Sequence, residues 1–163
     1  MLDHRISIAA DHFTPTDATQ IPTGEIRSVR ETPFDFTQPR SIGERIRTAD
    51  EQLMVARGYD HNWVLRAPVR EALRLAARAF EPRSGRVLDV LTDAPGLQFY
   101  TGNSLDGSLA GPSGRIYRQS DGFCFETQQF PDAPNQPDFP STLLRPGERF
   151  HSATIFRFSA DAA

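Results

Sequence analysis

The side chain with the clearest chemical potential is Glu126, within the stretch GFCFETQQFPDAPNQPDFP at residues 122–140. It lies in a strand-like run of aromatic and amide residues, and a loop with four prolines follows. Because side chains alternate along a strand, Glu126 shares one face with Cys124 and Gln128. A carboxylate that lines a polar cleft over an apolar layer can act as a general base, whereas an exposed one can simply form a salt bridge. Position alone leaves both interpretations open.

Two other segments carry side chains suited to a ligand with many hydroxyl groups. In GYDHNW, a strand would point Asp60 and Asn62 together and His61 to the opposite face, although the same residue types also suit a turn. In GLQFYTGN, Gln98 and Tyr100 share one face of a predicted strand. Amide and phenol groups both donate and accept hydrogen bonds, which favours sugar binding, but a half-exposed strand would show the same alternation.

Several other kinds of chemistry find no support in the sequence. The four histidines have no metal-binding spacing, and the lone Cys124 permits no intrachain disulfide. The glycines match no dinucleotide or phosphate-binding fingerprint. A net charge of −3 without clustered cations argues against nucleic-acid binding. No apolar run reaches membrane-spanning length and the first residues do not resemble a signal peptide, so we expect a cytoplasmic protein without membrane or nucleic-acid partners.

The elements that must position these residues are predicted to be short strands. The chain has 163 residues with 38% hydrophobic content, and 13 prolines and 11 glycines divide it into short segments, which is typical of an all-β fold. One short helix is predicted over 42–47, with Ser41 as its cap and Glu44 completing a capping box. Strands are predicted at 3–9, 25–30, 62–66, 86–92, 97–102, 122–128 and in the stretch FHSATIFRFS, where Phe150, Phe156 and Phe158 share parity.

One segment gives conflicting signals. VREALRLAARAF has apolar residues at helical spacing, with Arg70, Arg74 and Arg78 on the opposite side. The following PRSG and the strand RVLDVLT instead indicate a hairpin whose first strand covers 71–81. The local pattern favours a helix and the hairpin signal favours a strand.

The sequence resembles the aldose 1-epimerases, also called galactose mutarotases, over almost its whole length. The order and spacing of the similar stretches agree with that family as well as their content. They are LDHRISIAADHFTPTD, IPTGEI, TPFDF, IGERI, GYDHNWVL, SGRVLDVLTDAPGLQFYTGNSLDG and GFCFETQQFPDAPNQPDFPSTLLRPGERF.

The resemblance implies a twisted antiparallel super-sandwich with the sugar in an open cleft, and a strand rather than a helix over 71–81. It implies interconversion of the α and β anomers of free hexoses such as galactose and glucose by general acid and base catalysis, without a cofactor or metal. Carried over motif by motif, Glu126 of FETQ is the general base, and Asp60 of GYDHN and Gln98 of LQFYTGN bind the sugar.

The resemblance also implies that residues 1–163 are the C-terminal portion of such a domain, with the N-terminal half absent. The missing half would carry an NHSYFNL-type motif with the catalytic histidine, and no histidine of this chain lies in such a motif. Two alternatives to an active epimerase therefore stay open. The chain could be a non-catalytic carbohydrate-binding fragment, or half of a split enzyme that associates with the missing half or with itself.

Overall fold

Two five-stranded antiparallel sheets form the framework of the protein, in a computed structural model that describes residues 1–66 and 73–161. The first sheet contains, in spatial order, β12 (Thr154–Ala160), β7 (Arg86–Thr92), β6 (Arg74–Phe80), β1 (Arg5–Ile8) and β4 (Arg40–Ser41). The second contains β11 (Cys124–Gln128), β8 (Gly96–Tyr100), β5 (Asp60–Leu65), β2 (Ala10–Thr14) and β3 (Arg27–Ser28). The predicted all-β architecture is confirmed.

The main core draws apolar side chains from both sheets. Ile6 and Ile8 of β1 share the buried face that their spacing predicted. On the second sheet, Phe13, Trp63 and Leu97 are opposed across three neighbouring strands and all are buried. The rings of Phe13 and Trp63 pack against the ring of Phe34, and the Trp63 indole N–H donates to the backbone carbonyl of Phe34 at 3.0 Å. Burial of these large rings holds the second sheet rigidly against the first.

The segment with conflicting signals contains a strand, β6, over Arg74–Phe80. Residues 71 and 72 of the expected range lie outside the described residues. The hairpin to β7 is therefore confirmed over 74–80. A register shift between Leu75 and Ala77 buries the consecutive residues Ala76 and Ala77. This bulge explains the misleading helical pattern, because it breaks the strict two-residue alternation of a strand.

The short helix lies later in the chain than predicted. Residues 42–44 form only a 3₁₀ helix, the Ser41 side chain makes no capping bond, and the Glu44 carboxylate instead pairs with Arg40 at 2.7 Å. An α-helix, α1, spans Glu51–Ala56. The Asp50 carboxylate caps it by accepting from the backbone N–H groups of residues 52 and 53, which are orphan donors of the first turn.

The segment 103–121, which the sequence presented as a loop, contains a further hairpin. Its strands are β9 (Asp106–Ala110) and β10 (Ile116–Arg118), which pair only with each other among the described residues. A second 3₁₀ helix covers Ala133–Asn135 in the proline-rich loop. Within the part of the chain that the structure describes, no helix is long and apolar enough to cross a membrane.

Candidate active site

Three adjacent strands place the candidate residues on one face of the second sheet. Glu126 on β11 lies opposite Gln98 on β8, which in turn lies opposite Asn62 on β5. One row along, Tyr100 lies between Cys124 and Asp60. The alternate side chains of the same strands, including Leu97 and Phe99, fill the core. Strand pairing thus brings residues from positions 60, 98 and 126 into one polar surface over an apolar layer.

Glu126 is exposed on this surface and forms no ion pair with any described residue. Its one side-chain partner there is Cys124, whose thiol donates to Oε1 of the carboxylate at 3.2 Å. Burial, together with this bond to Glu126, raises the pKa of the Cys124 thiol to about 11, so the thiol keeps its proton at neutral pH. The salt-bridge alternative for Glu126 does not describe this structure, and the carboxylate has an oxygen free for a ligand.

Asp60 and Gln98 form a hydrogen-bonded pair beside Glu126. The Gln98 amide Nε2 donates to Asp60 Oδ1 at 2.8 Å. Burial is the main influence on Asp60 and raises the pKa of its carboxyl above the usual value. The bond from Gln98 opposes this rise, while the nearby negative charge of Glu126 adds to it. Glu126 is thus close enough to Asp60 for their charges to interact.

A second amide extends this pair into a network. Gln128 Nε2 lies 3.0 Å from Gln98 Oε1 and 3.1 Å from Asn62 Oδ1, so one amide orients two side chains. The network needs a glycine at position 96, because a Cβ there would lie 2.2 Å from Asn62 Oδ1. A polar array fixed in this way is preorganised for a ligand rich in hydroxyl groups.

The proline-rich loop closes one side of the surface. Pro131 lines a cleft of about 80 Å³ together with Asp60, Gln98 and the segment around Thr16 and Pro22. The loop is anchored by a small separate core, in which Phe130 and Phe139 stack edge to face and pack against Val64 of β5. The loop is therefore held against the same strand that carries Asp60.

The histidines of the chain do not complete an acid–base pair with Glu126. The ring of His4 bonds to the carbonyl of Met1 at 2.9 Å, and His151 lies 3.7 Å from an Asp93 carboxylate oxygen. His12 is exposed on β2. In the described part of the chain, no hydrogen bond joins any histidine side chain to Glu126 or to another acidic or amide side chain of the polar face.

His61 lies on the opposite side of the sheet from Asp60, as alternation along the strand predicted. It is fully buried, and this burial lowers its pKa to about 3. Both ring nitrogens are occupied, since Nδ1 lies 3.2 Å from the Asp60 backbone N–H and Nε2 lies 3.2 Å from Gln52 Oε1. The acceptor role of Nδ1 places the proton on Nε2. The neutral ring therefore supports the backbone of Asp60 and supplies no catalytic proton.

Comparison with known proteins identifies the family. A family model described as aldose 1-epimerase matches residues 1–157 of the chain. The chain belongs to the aldose 1-epimerase family. Galactose mutarotase of Rattus norvegicus is 47% identical over 157 residues, and aldose 1-epimerase of Escherichia coli K12 is 35% identical over 161 residues. The expected resemblance is thus confirmed.

Solved structures of aldose 1-epimerase relatives share the fold. An aldose epimerase homologue from C. elegans aligns with a TM-score of 0.84 at 30% identity, over 98% of this chain and 46% of its own. Galactose 1-epimerase from Lactobacillus acidophilus aligns with a TM-score of 0.82 at 28% identity, over 99% of this chain and 45% of its own. The Rattus and Escherichia coli proteins are likewise matched over 44% and 46% of their lengths, and over 96% and 98% of this chain. The chain therefore spans less than half of the relatives it matches.

One residue of this aldose 1-epimerase family member that supports the site was not predicted from the sequence. Gln52 of α1 is buried, and its Oε1 accepts from the backbone N–H of Thr16 at 2.7 Å while its Nε2 donates to the carbonyl of Thr16 at 2.9 Å. The same Oε1 accepts from His61. A glutamine in a segment without any strong local pattern carries no signal of such a role.

Proposed function

We propose that the complete protein to which this chain belongs is an aldose 1-epimerase that interconverts the α and β anomers of free hexoses. Glu126 is the general base, and Asp60 and Gln98 hold hydroxyl groups of the sugar. The observation that carries the proposal is the placement of Glu126. It is an exposed carboxylate without an ion pair among the described residues, and it lies next to the Asp60–Gln98 pair on one face of a rigid sheet.

The proposed reaction moves protons and needs no cofactor. The Glu126 carboxylate accepts the proton of the C1 hydroxyl while a general acid donates a proton to the ring oxygen, and the bond between C1 and that oxygen breaks. Rotation about the C1–C2 bond and closure on the other face give the opposite anomer. The acid comes from the part of the fold that this chain does not span, because in the described residues no histidine side chain bonds to Glu126, and His61 is neutral and faces away from it.

The Asp60–Gln98 pair fixes the position of the sugar relative to the base. Asp60 can accept hydrogen bonds from two hydroxyl groups, and the Gln98 amide sets the direction of one of its oxygens. Holding C1 within reach of Glu126 supplies a large part of the rate acceleration, because even a small displacement of a reacting group greatly lowers the rate. The amide network with Gln128 keeps this geometry fixed before the sugar arrives.

Polarimetry of freshly dissolved α-galactose tests the activity. The chain is assayed together with the remaining portion of the Rattus norvegicus relative, as wild type and as Glu126→Gln. We expect faster relaxation than in buffer for the wild type and loss of the acceleration in the variant. Equal rates for the two proteins would overturn the role of Glu126, and no acceleration in either would overturn the function.

A second candidate is a carbohydrate-binding module without catalysis. It is favoured by the absence, in the described part of the chain, of a histidine bonded to Glu126. Isothermal titration of the chain alone with galactose separates the two functions. Binding that depends on Asp60 without any acceleration in the assembled protein would favour the module, whereas acceleration excludes it.

A further inference from the structure

The cleft beside the Asp60–Gln98 pair is lined by two polar side chains that have unpaired atoms. Asn62 is 2% exposed and Thr16 is 8% exposed, and both line this cleft of about 80 Å³. Nδ2 of Asn62 and the hydroxyl oxygen of Thr16 are buried, and neither has a hydrogen-bond partner among the described residues. A buried polar atom without a partner costs free energy, which a ligand that bonds to it would recover.

Neighbouring hydrogen bonds hold both side chains at the cleft. Oδ1 of Asn62 accepts from Gln128 Nε2 at 3.1 Å, so the amide is oriented and its Nδ2 is left as the free donor. The backbone of Thr16 bonds through both its N–H and its carbonyl to the buried side chain of Gln52, at 2.7 and 2.9 Å. The two residues are therefore fixed in position before any ligand arrives.

Two loops form the walls of the cleft and limit its size. Pro22 lines it from one loop and Pro131 from the other. The Gln136 side chain ties these loops together, since its Nε2 donates to the Pro22 carbonyl at 3.1 Å and to the Asp132 carboxylate at 2.9 Å. Because a water molecule takes about 30 Å³ of liquid volume, the cleft has room for a small substituent of a sugar but not for a second ring.

The unpaired atoms favour a hydroxyl group as that substituent. A hydroxyl accepts a hydrogen bond from Nδ2 of Asn62 while its own proton is donated to the Thr16 oxygen. An anionic substituent would be repelled by the Asp60 carboxylate, which lines the same cleft. A methyl group would leave both buried atoms without a partner. The cleft therefore suits a neutral group that both donates and accepts.

The place of the cleft in the sheet indicates which part of a sugar reaches it. Glu126, Gln98 and Asn62 lie in one row across β11, β8 and β5. Neighbouring strands are about 4.8 Å apart, so Asn62 lies about two strand spacings from Glu126. If C1 lies at Glu126, the hydroxyl that enters the cleft is one remote from C1, on C3, C4 or C6. The hydroxyl on C2, next to C1, stays outside.

We propose that Asn62 and Thr16 form a second hydroxyl-binding subsite, which holds a hydroxyl on C3, C4 or C6 of the sugar. The inference rests on the proposed function for the identity of the ligand. It adds two specificity-determining residues to the Asp60–Gln98 pair. A site built to bond a hydroxyl rejects an analogue that lacks it, because the buried groups of the protein then stay unpaired.

Deoxygenated sugars combined with a conservative variant test the subsite. Thr16→Val removes the hydroxyl and keeps the shape of the side chain. Galactose and its analogues deoxygenated at C2, C3, C4 or C6 are titrated by calorimetry into the assembled protein that polarimetry uses. We expect Thr16→Val to bind galactose roughly 3- to 10-fold more weakly than the wild type. One analogue lacking the hydroxyl on C3, C4 or C6 should bind equally to both proteins, whereas the C2 analogue should show the full loss.

Thr92→Val is the matched control, with the opposite expected pattern. Thr92 is also buried, but its hydroxyl donates to the carbonyl of Ala153 at 3.1 Å, in the other sheet. Thr92→Val should unfold at a lower urea concentration and bind galactose as the wild type does. Thr16→Val breaks no hydrogen bond within the described part of the chain and should keep its stability. Lower stability of Thr16→Val with an equal loss of affinity for every sugar would make its hydroxyl structural and overturn the proposal.

The side-chain amide of Asn62 supplies a measurement on the unmodified protein. Its NMR signals should shift on addition of galactose and stay in place with the analogue that lacks the cleft hydroxyl. Unchanged signals with galactose bound, or a coupling of Thr16 to C2 alone, would overturn the subsite. The proposed function would survive either result if the protein accelerates mutarotation. Coupling without acceleration would instead remove the activity and keep the subsite, and no binding of galactose would remove both.

Discussion

The outermost strands β11 and β12 end the two sheets side by side and present opposite surfaces. β11 turns Glu126 and Gln128 outward over a buried Phe125, whereas β12 leaves Phe156 and Phe158 uncovered on its core-facing side. Exposure alone therefore does not indicate function. On β11 the exposed groups are polar and ordered by hydrogen bonds, as a ligand site requires, whereas on β12 they are large apolar rings without a covering side chain among the described residues.

The largest effect should come from the exposed carboxylate of β11. Replacing Glu126 by Gln keeps the shape and removes the proposed base, so the epimerase rate of the assembled protein should fall about 10²–10⁴-fold. Its stability should not change. Glu44→Gln removes an exposed glutamate that pairs with Arg40 away from the site, and it should leave the rate unaltered. Polarimetry measures both, and an equal loss in both variants would show that the effect is not specific to the β11 carboxylate.

The two strands should also differ in what an aromatic ring contributes to stability. In the isolated chain, Phe125→Ala should lower the free energy of unfolding by about 3–5 kcal/mol, because it leaves a cavity against Phe99. Phe158→Ala removes a ring that is 76% exposed and should cost no more than about 0.5 kcal/mol. Urea denaturation of the two variants compares them. Similar costs would show that β12 is already covered in solution.

A smaller effect is expected for the amide that joins the binding side chains. Gln98→Ala removes the donor to Asp60 and the acceptor of Gln128, so Asp60 loses its fixed orientation. The loss of a hydrogen bond to a charged group corresponds to about 1.5–3 kcal/mol, or roughly a 10- to 100-fold weaker galactose affinity. Titration calorimetry measures it. Gln119→Ala, which removes an exposed amide bonded to the carbonyl of Arg57, should bind as the wild type does.

The smallest effect should appear in the pH dependence of stability at Asp60. Burial raises its pKa in the folded state above 3.8, so the folded protein holds this proton more tightly than the unfolded chain. That contribution to stability is complete below the unfolded pKa and is lost as the pH rises through the folded value. Asp60→Asn should therefore gain stability over the wild type between pH 3 and pH 7, as thermal unfolding would show.

An exposed aspartate provides a control of opposite sign for that prediction. Hydrogen bonds from Ser108 lower the pKa of Asp106 in the folded state, so its carboxylate stabilises the fold above the unfolded pKa. Asp106→Asn should lose stability relative to the wild type as the pH rises over the same range. If the stability difference from the wild type changed with pH in the same direction for both variants, burial would not be raising the pKa of Asp60.

Strand alternation made much of the site predictable. The spacing of Gln98 and Tyr100, and of Glu126 and Gln128, places each pair on one face, and the paired strands show that arrangement. Which strands are neighbours could not be read from spacing, because pairing among these three strands joins residues 24 to 40 positions apart. The resemblance to a family supplied what periodicity could not, including the strand over 74–80.

The failures of sequence reasoning have local physical causes. The bulge at Leu75–Ala77 imitates helical spacing, and the capping box at Ser41 is not formed because the Glu44 side chain bonds to Arg40 instead. The helix α1 was missed because it is only six residues long and is stabilised by contacts rather than by its own pattern. The support of the site by Gln52 is visible only once these segments are folded together.

That single glutamine couples parts of the protein that would otherwise unfold separately. The Thr16 amide bonds to the Gln52 side chain instead of to a strand, and the same oxygen holds the ring that accepts the Asp60 amide. Unwinding one short helix would release all three contacts at once. The exchange rate of the Thr16 amide proton therefore reports, from a distant position, whether Asp60 is still held in place.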